Sequence, residues 1–373
     1  MKYVIGRGSM RRSFVALAVV LLLASSAGAQ SPSPSDPVLV RRPPPRASNP
    51  LQRDGDIHLD VTVHDAQDKP VPGLEPWDFH LTDNGKPAKI LSFRGFDGVV
   101  ARPNPPVEVI LVIDEVNLPF QQVAFVRSEL TQFLRQNGGR LPQPVTLMQL
   151  TDKGVRVRPR PTTDGNALVN VLDQISGRIS YINPAMGGDG ALERLQISVR
   201  GMADIAENEA ARPGRKLLVW IGPGWPVLES ARFLRPDDKN RRRYFDAIVE
   251  LTNKLREARI TVNSVSGLSG DPRNGMAYQR FLDGVPTPAE ASGGYLALKV
   301  LVTRTGGRIL GPGNDLAEQI NACIADANAF YSISFNPPAE EPLDTYHELA
   351  LQLDKAGLTA KTTAGYYFDS PQK

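Results

Sequence analysis

The sequence predicts an α/β protein: a doubly wound, mostly parallel sheet inserted into a small antiparallel β-sandwich that the two ends of the chain form together. Three observations predict it. Apolar and polar residues alternate at both ends, with Ile57, Leu59, Val61 and Val63 near the start and residues 331–335, 349–353 and 359–368 near the finish. That period of two marks strands with one buried face. Between them, near-continuous apolar runs such as VEVILVID from Val107 and KLLVWI from Lys216 alternate with helix-period stretches, the pattern of parallel strands covered on both faces. Finally, neither terminal set of strands has a partner sheet of its own, so the economical arrangement packs the two sets together with the α/β domain between them.

The chain opens on a leader. Of its 373 residues, 43 are Lys or Arg and 40 are Asp or Glu, and the basic excess is concentrated in residues 1–29. There Lys2, Arg7, Arg11 and Arg12 precede an apolar run from Phe14 to Ala24 and the small residues Ala27-Gly28-Ala29. This is the layout of a signal peptide, which implies a periplasmic or extracellular protein. The apolar run falls short of the roughly 20 residues a bilayer span needs, and no later segment approaches it, so no membrane span is expected after cleavage. Without the leader, 39 basic residues face 40 acidic ones. A chain that close to neutral argues against nucleic-acid binding, which needs a basic face. Cys323 is the only cysteine, which excludes an intrachain disulfide and leaves no lipid anchor at the cleavage point. Residues 30–55, rich in Pro, Ser and Arg, read as an extended tether.

Residues 56–98 form the N-terminal β segment. After the strand at 57–63, Trp77, Phe79 and Leu81 alternate, Asp83-Asn84-Gly85 makes a hairpin turn, and Lys89 to Phe96 returns. The α/β domain is assigned to 105–328. VEVILVID leads into a helix with Val123, Val126, Leu130, Phe133 and Leu134 on one stripe, closed by Asn137-Gly138-Gly139, a left-handed terminator. Strands follow at 145–150 and 155–160, helices near 165–175 and 191–211, the KLLVWI strand, a helix at 244–258, a strand at 260–266, a helix near 295–305 and a short strand at 308–310. Asp315 then caps a helix bearing Leu316, Ile320, Ile324 and Ala327. Residues 329–370 form the C-terminal β segment, packed on 56–98.

The opening phrase IHLDVTVHDAQDKPVPGLEPWDFHLTDNGKPAKILSF, the strand VEVILVID, the segment TRTGGRIL and the closing FYSISF and AGYYF together resemble the von Willebrand factor A (VWFA)-related proteins common in acidobacterial genomes. The likeness runs from Asp56 to Phe368. It implies a von Willebrand A/Rossmann-like domain whose usual function is adhesion or assembly through a divalent ion, of the Mg²⁺ class, at the carboxyl ends of the strands. The family places Asp-x-Ser-x-Ser after the first strand, a Thr in a later loop and an Asp after the fourth strand. Here Asp114 matches the first Asp, whereas Val116 and Leu118 occupy the serine positions. Gly187-Gly188-Asp189 carries an aspartate in place of the Thr, and Gly222-Pro223-Gly224 replaces the last motif. The resemblance therefore implies a degenerate site, with Asp114 and Asp189 as the remaining metal candidates and Asn117 one position out of register. Two carboxylates suit Mg²⁺ poorly, so no cofactor is expected.

By strand parity His58, Asp60 and His64 share the polar face of one strand and His80 that of another, so a metal cluster is conceivable but solvent-facing rings are expected. His347 falls in phase with Leu349 and belongs at a strand end. No Gly-x-Ser-x-Gly occurs, and every histidine lies in the β segments, far in sequence from a hydrolase site. Gly311-Pro312-Gly313 reads as a turn. Arg241-Arg242-Arg243, with Arg232 and Arg235, reads as a solvated helix start. Cys323 is expected to be buried, as are Trp77 and Trp220, whereas Trp225 is expected to be an exposed anchor. The resulting expectation is a non-enzymatic protein-binding or scaffolding protein that contacts an unidentified protein or cell-envelope ligand. Its binding residues would be Asp114, Glu115, Asn117, Phe120, Asp189 and Trp225, in the loops at 114–120, 186–190 and 222–226. The alternatives are a metal-dependent adhesion protein and a cryptic hydrolase.

Overall fold

A computed structural model describes residues 56–174, 187–226, 237–266, 277–311, 313 and 315–369. The leader, the tether, Met186, Arg232, Arg235 and Pro312 lie outside the described residues.

The N-terminal segment supplies β1 (Ile57–His64), β2 (Phe79–Asp83), β3 (Lys86–Pro87) and β4 (Ile90–Phe96). The central domain begins with β5 (Glu108–Asp114), α1 (Phe120–Leu134), β6 (Arg140–Thr151), β7 (Gly154–Asp164), α2 (Gly165–Gln174) and α3 (Gly187–Ala210). It continues through β8 (Lys216–Ile221), α4 (Asp238–Glu257), β9 (Ile260–Val265), α5 (Leu298–Arg304), β10 (Ile309–Leu310) and α6 (Leu316–Ala325). The chain closes with β11 (Phe330–Phe335), β12 (Tyr346–Leu353), β13 (Thr359–Lys361) and β14 (Gly365–Tyr367).

The central sheet has the order β10-β9-β8-β5-β6-β7, and all its pairings are parallel except β6 with β7. Counted from β5, the sequence across the sheet is 3-2-1-4-5-6, the doubly wound order whose topological switch point falls between its first and fourth strands. Alternate residues of each strand feed opposite faces. Ile110, Val112, Leu218 and Trp220 meet Leu195 and Val199 of α3 and Phe245 and Ile248 of α4 on one side. On the other, Val109, Leu111, Ile113 and Val219 meet Val126 and Leu130 of α1, Leu168 of α2 and Ile320 and Cys323 of α6.

The flanking segments interleave into two four-stranded sheets, β13-β1-β11-β4 and β14-β12-β2-β3. β1 runs antiparallel to β11, with Ile57 opposite Phe335, and β2 runs antiparallel to β12, with Leu81 opposite Leu351. Each sheet thus holds strands from both ends of the chain, around a shared core of Leu59, Val61, Phe79, Tyr331, Ile333 and Tyr366. A smaller cluster of Phe96, Val107, Leu217, Ala327 and Phe330 joins the sandwich to the domain. Val107 and Leu217 stand at the starts of β5 and β8, so the sandwich covers the amino end of the parallel sheet.

Four local expectations are corrected. Trp77 is not core but 71% exposed: Pro76 opens a 3-10 turn, Asp78 accepts the Glu75 N–H at 2.8 Å, and the strand begins only at Phe79. Residues 359–368 are not one strand but two in different sheets, because Ala364 donates to the Arg304 carbonyl at 2.8 Å and the Thr362 hydroxyl to the Asp60 carbonyl at 2.9 Å. His64 does not face solvent. It is buried against Asp326 (2.8 Å) and Arg308 (2.6 Å) where the sandwich meets the domain. Last, α3 starts at Gly187 rather than near Ala191, so Gly187-Gly188-Asp189 is a helical first turn and not a loop. An acidic residue there complements the helix dipole.

Candidate functional site

Asp114 ends β5 and Gly222 follows β8, so the two flank the switch point, where open α/β sheets usually take ligands. Asp114 is fully buried. One carboxylate oxygen accepts the backbone N–H groups of Val116 at 3.2 Å and Asn117 at 3.0 Å. The other accepts the Asn117 side-chain amide and the Trp220 indole N–H, each at 2.8 Å. Asn117 also donates to the Ser198 hydroxyl on α3 at 3.0 Å. Burial pushes the Asp114 carboxyl up to about 6, against the pull of these donors toward the ionised form.

The residues around it close the crevice. Val116 is buried in the core under α3 and α4, and Leu118 in the core under α1, so the two positions that would carry serine hydroxyls anchor apolar side chains on opposite faces. Gly222 lies so close that a Cβ on it would stand 3.0 Å from the Asp114 Cβ. Past it, Gly224 at φ 91° turns the chain back. Trp225 is then only 4% exposed and meets Trp220 edge-on with centroids 5.1 Å apart. The expectation of Trp225 as an exposed anchor is therefore corrected: this left-handed glycine folds the ring under the sheet end.

Glu115 is buried, and desolvation raises its carboxyl while a hydrogen bond from Gln149 and the charges of Arg156 and Arg127 oppose. Asp189 is exposed in the first turn of α3. Phe120 opens α1, and its side chain lies outside the description. The structure thus brings Asp114, Asn117, Trp220 and Ser198 into direct contact. Sequence reasoning missed Arg194, whose guanidinium is desolvated, which lowers its pKa, while Asp114 opposes that shift electrostatically. Its spacing of four from Ser198 on α3 was the available signal, since such residues share a helix face.

A divalent ion of the Mg²⁺ class needs several oxygens pointing at it. Here all four acceptor directions of Asp114 are filled by N–H donors, and among the described residues no group of three His, Cys, Asp or Glu side chains could hold a metal. Buried atoms without hydrogen-bond partners include two oxygens, Asn117 Oδ1 and Glu115 Oε1, and two donors, Arg194 Nη1 and Trp225 Nε1. The mixture of donors and acceptors does not fit a hard cation.

No family model and no curated protein matches the chain. Among solved structures it is similar to a von Willebrand factor type A protein from Catenulispora acidiphila, at 8% identity and a TM-score of 0.34 over 85% of this chain and 74% of that one. It is also similar to manganese-loaded Plasmodium vivax TRAP protein, at 8% identity and a TM-score of 0.32 over 73% of this chain and 97% of that one. A third is the human COPII-coat protein Sec24c, at 10% identity and a TM-score of 0.32 over 71% of this chain, which spans less than half, 44%, of that one. The doubly wound fold itself follows from the chain's own strand order, 3-2-1-4-5-6 with an antiparallel edge.

Proposed function

We propose that the chain is an exported, non-enzymatic binding or scaffolding protein whose sheet-end site works without a metal ion. The observation that carries this reading is the carboxylate of Asp114, buried and already satisfied by Val116, Asn117 and Trp220. An ion would have to displace these donors. A partner protein or cell-envelope ligand would meet the carboxyl ends of β5 and β8, the end that the sandwich leaves uncovered. Export rests on the leader. The non-enzymatic part is supported by the histidines: among the described residues His64, His80 and His347 pair with Asp326, Asp354 and Asp83, and none bonds a Ser, Thr or Cys side chain.

A thermal melt with and without millimolar Mg²⁺, Mn²⁺ or Ca²⁺ tests it. An ion at a hundred times its Kd that binds only the native state adds about 2.7 kcal/mol. For a domain of roughly 200 residues that raises Tm by about 5 to 10 °C. The expected result is no such shift. A shift of that size that disappears in Asp114→Ala overturns the reading in favour of the metal-dependent adhesion protein.

A further inference from the structure

A cavity of about 440 Å³ lies between the sandwich and the amino end of the parallel sheet. Strand register builds its first wall. Asp60, Ser332 and Arg94 stand abreast on β1, β11 and β4, and His58 with Ser334 and Ser92 forms the next row on the same face. Arg212, Arg215, Lys216 and Arg259 come from the opposite wall, and the acids beside them are Asp60 of the first row and Glu257.

Most of this positive charge is already answered. Arg259 grips Asp60 at 2.5 and 3.1 Å. Arg212 bonds Glu108 at 2.5 Å and Glu209 at 3.1 Å. Lys216 donates to the backbone carbonyls of Glu209, Arg212 and Ala258. Three groups remain. Arg215, only 3% exposed, stacks with its guanidinium carbon 4.5 Å from the Phe330 centroid and gives one N–H to the Asp326 carbonyl at 2.7 Å, yet its buried Nε has no partner. Nε2 of His58 is likewise buried and unpartnered. Arg94 rests 5.1 Å from the Phe96 centroid and forms no ion pair among the described residues. Burial lowers the pKa of Arg215, and the carboxylates that oppose this, Asp60 and Asp326, are engaged by Arg259 and Arg308. A desolvated guanidinium lacking its own carboxylate is costly unless something else supplies the negative charge.

We propose that this cavity binds a small dianionic ligand of the phosphomonoester class, with its phosphate held by Arg94, Arg215 and His58 and its organic group lying along Phe96 and Pro105. Two unpaired guanidinium groups match two negative charges, and the planar fork of arginine suits phosphate oxygens. Burial, then the nearby Arg259, lowers the pKa of His58, and the tautomer of the neutral ring that carries its proton on Nε2 would donate to a phosphate oxygen. The volume lies in the usual range for small-ligand pockets, about 300 to 1,000 Å³, and exceeds what a bare anion fills.

Isothermal titration calorimetry of the mature chain at low ionic strength tests this with phenyl phosphate, inorganic phosphate and benzoate. Phenyl phosphate is expected to bind saturably, at least about tenfold more tightly than either of the other two, and Arg94→Ala and His58→Gln are each expected to weaken it about tenfold. Arg94 is exposed, so Arg94→Ala should melt at the unliganded temperature of the parent and keeps the test valid if His58→Gln folds poorly. No saturable binding of phenyl phosphate overturns the proposal. So does undiminished affinity in Arg94→Ala, which would put the anion elsewhere on the surface. Benzoate binding as tightly as phenyl phosphate overturns the phosphate class, and inorganic phosphate doing so overturns the role of the apolar wall.

Discussion

Replacing Trp220 by Phe removes one N–H from beneath Asp114 and leaves every other donor in place. At pH 8 the carboxyl, with its folded value near 6, is ionised, so the lost bond is charge-assisted and costs about 1.5 to 3 kcal/mol. At pH 5 the folded-state carboxyl is about ten-to-one protonated, and the same bond is an ordinary neutral one, costing about 0.5 to 1.5 kcal/mol. The smaller ring adds a cavity term in this fully buried position, but that term is independent of pH. Urea denaturation of parent and Trp220→Phe at both pH values should therefore give a destabilisation about 1 kcal/mol larger at pH 8. In the parent, the raised carboxyl makes its own contribution most favourable below about 3.8, and that contribution is lost as pH rises through about 6. Taking the difference between the proteins cancels all titrations they share. A destabilisation equal at the two pH values, or larger at pH 5, would refute the assignment of Trp220 as a donor to an ionised Asp114.

Gly222→Ala should destabilise the protein by about 1 to 3 kcal/mol in a denaturant melt, because its methyl group would press on Asp114; an unchanged midpoint would show that the strand end relaxes freely. Asp326→Ala should cost about 3 to 5 kcal/mol, since it strips Arg308 and His64 of their buried carboxylate. Desolvation would raise Asp326, but hydrogen bonds from Arg308 and His64 outweigh it and hold the group down at about 2. Its stabilising contribution is present above about pH 3.8 and fades as pH falls through about 2, so a parent and variant that converge in acid would agree with the assignment. Cys323 is buried and its thiol is pushed well up by desolvation. It should stay silent to a thiol reagent until denaturant is added, and rapid labelling of the native protein would contradict its placement.

The architecture was legible because burial leaves a periodic record. VEVILVID and KLLVWI had to be covered on two faces, whereas β1 and β11 alternate because only one of their faces meets a core. Asp114 was legible as the polar end of an apolar strand. What surrounds it was not, because the Trp220 N–H comes from the neighbouring strand and Ser198 from a helix, and only pairing register and helix placement bring them together. Trp225 was misjudged because loop composition does not reveal which way a glycine at positive φ turns the chain. The cationic cavity was invisible for a related reason: His58, Arg94 and Arg215 are far apart in sequence, and each alone reads as a solvated charge.

The interleaving of β1 and β2 with β11 and β12 also governs the order in which this chain can become itself. His64 meets Asp326 across 262 residues, so β1 and β4, among the first strands to emerge during synthesis, have no mates until nearly all the rest has followed. The parallel domain, whose strands are neighbours in sequence or one crossover apart, can form in the interval. Until the last forty or so residues arrive, β1 and β4 present open edges on which β11 alone should settle. A truncation that removes β11 to β14 would therefore leave a sound centre carrying strands in search of a partner, and its expected fate is association with other chains.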